Sequence, residues 1–188
     1  MKLRNLLRDR KSVLVKKWLN EIYDSYPVDT SQFLKGQKDR FLNPVGHTFA
    51  QAIEGLFDEI ILSDGTSEKL LLFLDDIIRI KAVQSPNPSE AVTFVFLLKK
   101  VIRKELQKAL NGDQFFEEMH HIESRIDDIG LLAFNIYMKC REKIYDIKVN
   151  EIKTMSFRLL KRANLVRDFS DLEPESDLEA QLTQKIEG

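Results

Sequence analysis

Residues 74–100 read LDDIIRIKAVQSPNPSEAVTFVFLLKK. The stretch ends one amphipathic helix, turns at a proline and opens a second, nearly all-apolar segment. Asn87-Pro88-Ser89-Glu90 supplies an N-cap, a proline at the first helical position and a glutamate spaced to reach back to the cap. The run Ala91–Leu98 passes in isolation for a buried strand. Its apolar period continues through Val101, Ile102, Leu106 and Leu110, so length and spacing make it a helix. A helix apolar on every side is expected at the centre of a core.

Working outward, the same punctuation recurs. Asn43-Pro44 repeats the cap-then-proline device and opens a helix carrying Phe49, Ile53, Leu56 or Phe57, and Ile60. It stops at Ser63-Asp64-Gly65, and Thr66 or Ser67 caps the next helix, which runs through Ile80. Nearer the start, one helix is expected from Leu3 to Tyr23, with Leu7, Leu14, Trp18 and Ile22 on one face. Tyr26-Pro27 ends it, because proline disfavours helix in the residue before it. A short segment, Ser31 to Phe41, follows.

Past the Asn111-Gly112-Asp113 turn comes the longest element. Met119, Ile122, Ile126, Ile129, Ala133, Ile136, Cys140, Ile144 and Ile147 step by three or four. Tyr145, Val149, Ile152, Ser156, Leu159, Ala163 and Val166 continue the pattern, displaced by one or two positions. Such spacing is a coiled-coil-like seam, and the displacement implies a change of packing partner near Ile144. The first part is expected on the domain core. The second is expected to pair with another copy through Ile152, Met155, Leu159 and Val166.

The 188 residues are 43% hydrophobic and 31% charged, a balance that supports one soluble domain with a real core. A formal net charge of -1 argues neither for nucleic acid nor for an anionic membrane as a partner. Residues 1–20 carry seven Lys/Arg against Asp9, which reads as a solvated helix face. Residues 168–188 carry seven Asp/Glu against Lys185 and read as an acidic flexible tail. No apolar run is long enough to span a bilayer, and the charged N-terminal segment is no signal peptide. The lone Cys140 suits a reducing, cytoplasmic setting.

No catalytic set assembles. Glu117, His120, Glu118 and His121 give two overlapping Glu-x-x-His spacings, but on one helix, whereas di-iron bundles draw ligands from several. Glu54 and Asp58 are the distant carboxylates such a site would recruit. His47, His120 and His121 are the haem-ligand candidates, none on an apolar seam. Asp75-Asp76 and Asp127-Asp128 diverge around their helices. Asp75 and Arg79 are spaced for an i, i+4 ion pair. Phe49, Phe94 and Phe96 read as core, or as the lining of a small-molecule pocket.

Three segments resemble a known family: residues 74–106, residues 41–61 (FLNPVGHTFAQAIEGLFDEII) and residues 131–151 (LLAFNIYMKCREKIYDIKVNE). They are similar to the N-terminal domain of RsbR/RsbRD-type proteins, the RsbT co-antagonists of bacterial stressosomes. The likeness covers about residues 1–165, with Asn43-Pro44, the run Ile80 to Gln84 and Pro88-Ser89 in register. It implies a non-haem, globin-like sensor domain that dimerises and takes part in stress-response signalling. It also implies a connector helix that in full-length relatives leads to a phosphorylatable STAS domain. No STAS domain follows here, so a stand-alone member is expected.

The sequence thus predicts an all-α, globin-like helical bundle with a long C-terminal helix. Its expected divisions are a sensor domain at 1–143, a connector and dimerisation helix at 144–167, and the tail at 168–188. The expected role is a non-enzymatic, homodimeric regulatory module without a cofactor, read by another signalling or regulatory protein, with no nucleic-acid or membrane partner. The alternative is a haem- or di-iron-binding sensor.

Overall fold

The structure, a computed structural model, describes residues 3–36, 43–63, 65–84, 87–107 and 115–165. Among these residues it is all helical, with no strand: α1 (Leu3–Asp9), α2 (Lys11–Asp24), α3 (Val28–Gly36), α4 (Pro44–Leu62), α5 (Glu68–Gln84), α6 (Pro88–Leu106) and α7 (Phe116–Arg162). By contact the chain divides into two units, one ending at Lys143 and the other beginning at Ile144.

The helix starts follow the capping chemistry. Asn43 Oδ1 accepts from the Gly46 N–H at 2.8 Å, and Asn87 Oδ1 accepts from the Ser89 N–H at 3.3 Å. Glu90 reaches back as expected, accepting from the Asn87 side-chain amide at 3.3 Å. Of Thr66 and Ser67, Ser67 is the cap of α5, its Oγ accepting from the Leu70 N–H at 3.0 Å.

Helix ends follow the sequence less closely. The expected helix Leu3–Tyr23 is two helices joined at Arg10, whose backbone sits at φ -102, ψ 11, in the bridge region. No glycine or proline marks that break. The segment expected at Ser31 to Phe41 begins earlier, at Val28 directly after Pro27, and residues 37–42 lie outside the described residues. Helix α5 runs to Gln84, past Ile80. Helix α6 ends at Leu106, and Leu110 lies outside the described residues.

The core of the first unit collects Leu3, Leu7, Leu14, Trp18 and Ile22 from α1 and α2, and Phe49, Ile53, Leu56, Phe57 and Ile60 from α4. Leu74, Ile77 and Ile78 of α5 join Phe94, Val95, Leu98 and Ile102 of α6. Ile122, Ile126, Ile129, Ala133 and Tyr137 of α7 close it. Each of the larger aliphatic and phenylalanine side chains stabilises the fold by about 1.5–3 kcal/mol through its burial. Contrary to expectation, α6 is not buried all round: Thr93, Phe96 and Lys100 face outward. The Phe96 ring instead lies on Gly130 of α7, where an added Cβ would stand 2.3 Å from its Cζ. Gly55 of α4 receives the Phe73 ring of α5 in the same way.

Polar groups tie the core's edges. The Trp18 indole donates to the Phe94 carbonyl at 2.7 Å. Arg125 of α7 donates to the carbonyls of Glu59, Ile60 and Gly65 at 2.9, 3.0 and 2.7 Å. It thereby satisfies acceptors that the C-terminus of α4 leaves open. Arg141 does the same for α5 through the Ala82 carbonyl at 3.0 Å.

Candidate interaction face on the C-terminal helix

Within α7 the apolar pattern meets two environments. Ile122, Ile126, Ile129 and Ala133 are buried, Met119, Ile136, Cys140 and Ile144 are half-buried, and Ile147 is exposed. From Tyr145 onward every described residue is exposed. Tyr145, Val149, Ile152, Met155 and Leu159 lie within one stripe, at 62% exposure for both Ile152 and Leu159. On a straight helix these steps of three and four stack along one side. Ile147 and Phe157 fall on other sides of the same helix and are exposed as well, as is Leu165 just past its end.

The end of this helix is built. Asn164 adopts the left-handed conformation at φ 55. Its N–H donates to the Lys161 carbonyl at 3.2 Å, and the Leu165 N–H donates to the Leu160 carbonyl at 3.0 Å. That pair of bonds is a Schellman motif, the usual helix stop. The expected continuation to Val166 therefore ends at Arg162, and Val166 itself lies outside the described residues. So does the acidic segment 168–188.

The residues weighed for metal or haem do not converge. His47 is half-buried in the first turn of α4, while His120 and His121 are exposed on α7. Glu118 accepts from the Leu3 N–H at 2.8 Å, and Glu123 is held by Arg103 at 2.5 Å, which keeps its carboxyl below the usual range. Glu54 and Asp58 both engage Lys11, at 3.2 and 2.7 Å. Among the described residues no three His, Cys, Asp or Glu side chains stand together as a metal-binding group. Asp75 pairs with Arg79 at 2.5 Å, and Asp127 pairs with Lys99 at 2.6 Å. Cys140 is half-buried; burial, then the charge of Asp75, pushes its thiol pKa up, away from thiolate chemistry.

The basic N-terminal face is largely spoken for. Arg10 and Lys17 both pair with Glu105, and Lys11 binds the α4 carboxylates. Phe49 and Phe94 are core residues, whereas Phe96 borders a surface hollow with Lys99 and Arg103, so the three do not share a pocket.

Sequence reading missed one residue. Lys81 is 7% exposed, the sole buried charged side chain among those described. Its ammonium sits 3.9 Å from the centre of the Tyr26 ring and 5.9 Å from that of Phe49. The signal was present: Leu74, Ile77, Ile78, Lys81 and Ala82 form one helical stripe, with a lysine where an apolar residue belongs.

The described residues thus combine capped helices with an apolar stripe left exposed on α7. Residues 12–151 match the family described as the RsbT co-antagonist protein rsbRD N-terminal domain. The chain belongs to that family, which is regulatory and not a known enzyme family. An uncharacterized protein of Archaeoglobus fulgidus is 26% identical over 149 residues, covering 76% of this chain and 84% of that one. No solved structure matches the chain. Among the described residues no helix is long and apolar enough to cross a membrane.

Proposed function

We propose that this chain is a non-enzymatic, homodimeric regulatory module of the cytoplasm. In this reading residues 1–143 form the sensing domain, residues 144–162 the connector and dimerisation helix, and 168–188 an acidic tail. A second copy covers the stripe at Ile152, Met155 and Leu159. A signal or partner that favours one arrangement of the paired helices shifts the population toward it, and another signalling protein, of the kind the family name implies, reads the change.

The observation that carries this reading is the uncovered stripe. Large apolar side chains at three-four spacing over about four helical turns favour burial by about 1.5–3 kcal/mol each. The test is Ile152→Asp with Leu159→Asp, followed by light scattering and circular dichroism. A monomer with unchanged helix content is expected. A dimer that survives both charges would overturn the connector assignment.

A further inference from the structure

The cavity beside Lys81 has features of a built site. It occupies about 500 Å³ between the α2–α3 turn, the end of α5 and the start of α6, and it is bordered by Tyr26, Thr30, Lys81, Gln84, Glu90 and Thr93. Lys81 forms its charged floor. An ammonium carries three hydrogen-bond donors. Here it rests on the Tyr26 and Phe49 ring faces and has no hydrogen-bonding or ion-paired partner among the described residues. No fully enclosed side-chain nitrogen or oxygen there lacks a partner, so the Lys81 ammonium opens onto the cavity.

Aromatic faces attract a cation without filling its donors. Burial correspondingly holds the Lys81 ammonium down to about pKa 8. A cation kept in that setting calls for an anion that completes it. The rim sets a limit on the anion's charge. Glu90, exposed on the first turn of α6, is the carboxylate that acts on Lys81 electrostatically. One buried positive charge beneath one negative charge suits a single carboxylate and repels a polyanion. The Tyr26 hydroxyl is already donating to the Gln84 side-chain oxygen at 3.0 Å, which turns the amide NH2 of Gln84 to other use.

We propose that this cavity binds a small monocarboxylate, its carboxylate meeting the Lys81 ammonium and its remainder lying against the Tyr26 ring. A zwitterion such as an α-amino acid belongs to the same class, its own ammonium facing Glu90. The inference stands on the cavity and does not depend on dimerisation.

Calorimetric titration at neutral pH with acetate, benzoate, glycine, inorganic phosphate and citrate tests it. Saturable binding of at least one monocarboxylate is expected, weakened at least about ten-fold by Lys81→Met, which keeps the apolar stem and removes the charge. Glu90→Gln, at an exposed position, should tighten monocarboxylate binding and let phosphate or citrate enter. Binding that persists unchanged in Lys81→Met would overturn the proposal. So would the absence of saturable uptake of any carboxylate by both the native chain and Glu90→Gln, or native binding of citrate in preference to the monocarboxylates.

Discussion

The two halves of α7 carry the same apolar rhythm and meet opposite fates. In residues 116–143 the repeat Ile122, Ile126, Ile129, Ala133 is sealed within the first unit. In residues 144–162 the repeat Val149, Ile152, Leu159 stands in solvent. A three-four pattern states that a helix needs a partner along one side. It does not state whether that partner is in the same chain. The difference lies in what surrounds the seam. The first half adds Arg125 and Arg141 to latch the carbonyl ends of α4 and α5, and Gly130 to admit the Phe96 ring. The second half has a built stop at Asn164 and apolar side chains on its other sides.

Substitution at matching positions gives the largest contrast. Ile126→Ala should cost about 3–4 kcal/mol in denaturant unfolding, since a fully buried isoleucine leaves a cavity. Ile152→Ala should leave the stability of the dissociated chain within about 0.5 kcal/mol and act on association instead. Equal losses at the two sites, independent of protein concentration, would erase the distinction between the halves.

Lys81 tests the same pattern with the opposite sign, because it holds on α5 the kind of position Ile126 holds on α7. Its folded pKa of about 8 lies below the ordinary 10.5. Below pH 8 both folded and unfolded chains keep the proton, and the burial cost is fully present. As pH rises from about 8 toward 10, the folded chain sheds its proton first and stability increases. Tyr26, pushed up to about 12 by burial, and Tyr23, raised likewise, oppose this only above about pH 10. Lys81→Met should therefore stabilise the protein by about 2–3 kcal/mol at pH 7, a gain that shrinks by pH 10. A melting-temperature series across that range checks it; a flat difference would mean that the lysine is not buried as charged.

Arg125→Ala should cost about 2 kcal/mol, since it strips three carbonyls of their donor. The smallest effect is expected at Asn164→Ala, about 1 kcal/mol, confined to fraying of the helix end and read from amide exchange of its last turn.

Much of this architecture was legible in the chain. Asn43, Ser67 and Asn87 announce their helices because a cap needs a particular side chain at a particular spacing. The stripes through Trp18, Ile53 and Leu98 announce core faces for the same kind of local reason. Less legible were features decided by distant partners. Arg10 breaks the first helix without a glycine or proline. Phe96 faces outward because Gly130, many residues away, offers its ring a seat. Tyr137 enters the core from outside the seam that spacing picked out. Lys81 was visible only as a polar interruption of a stripe, since its cavity is completed by the α2–α3 turn, α3 and the start of α6, which lie far from it in sequence or beyond the turn that ends its own helix.

The most direct test is amide hydrogen exchange along α7 in the native chain and in the Ile152→Asp, Leu159→Asp variant. The account predicts protection of both halves in the native chain, with the variant losing protection only across residues 144–162. Rapid exchange of residues 144–162 in the native chain, unchanged by the two substitutions, would show that no second copy covers the stripe and would contradict it.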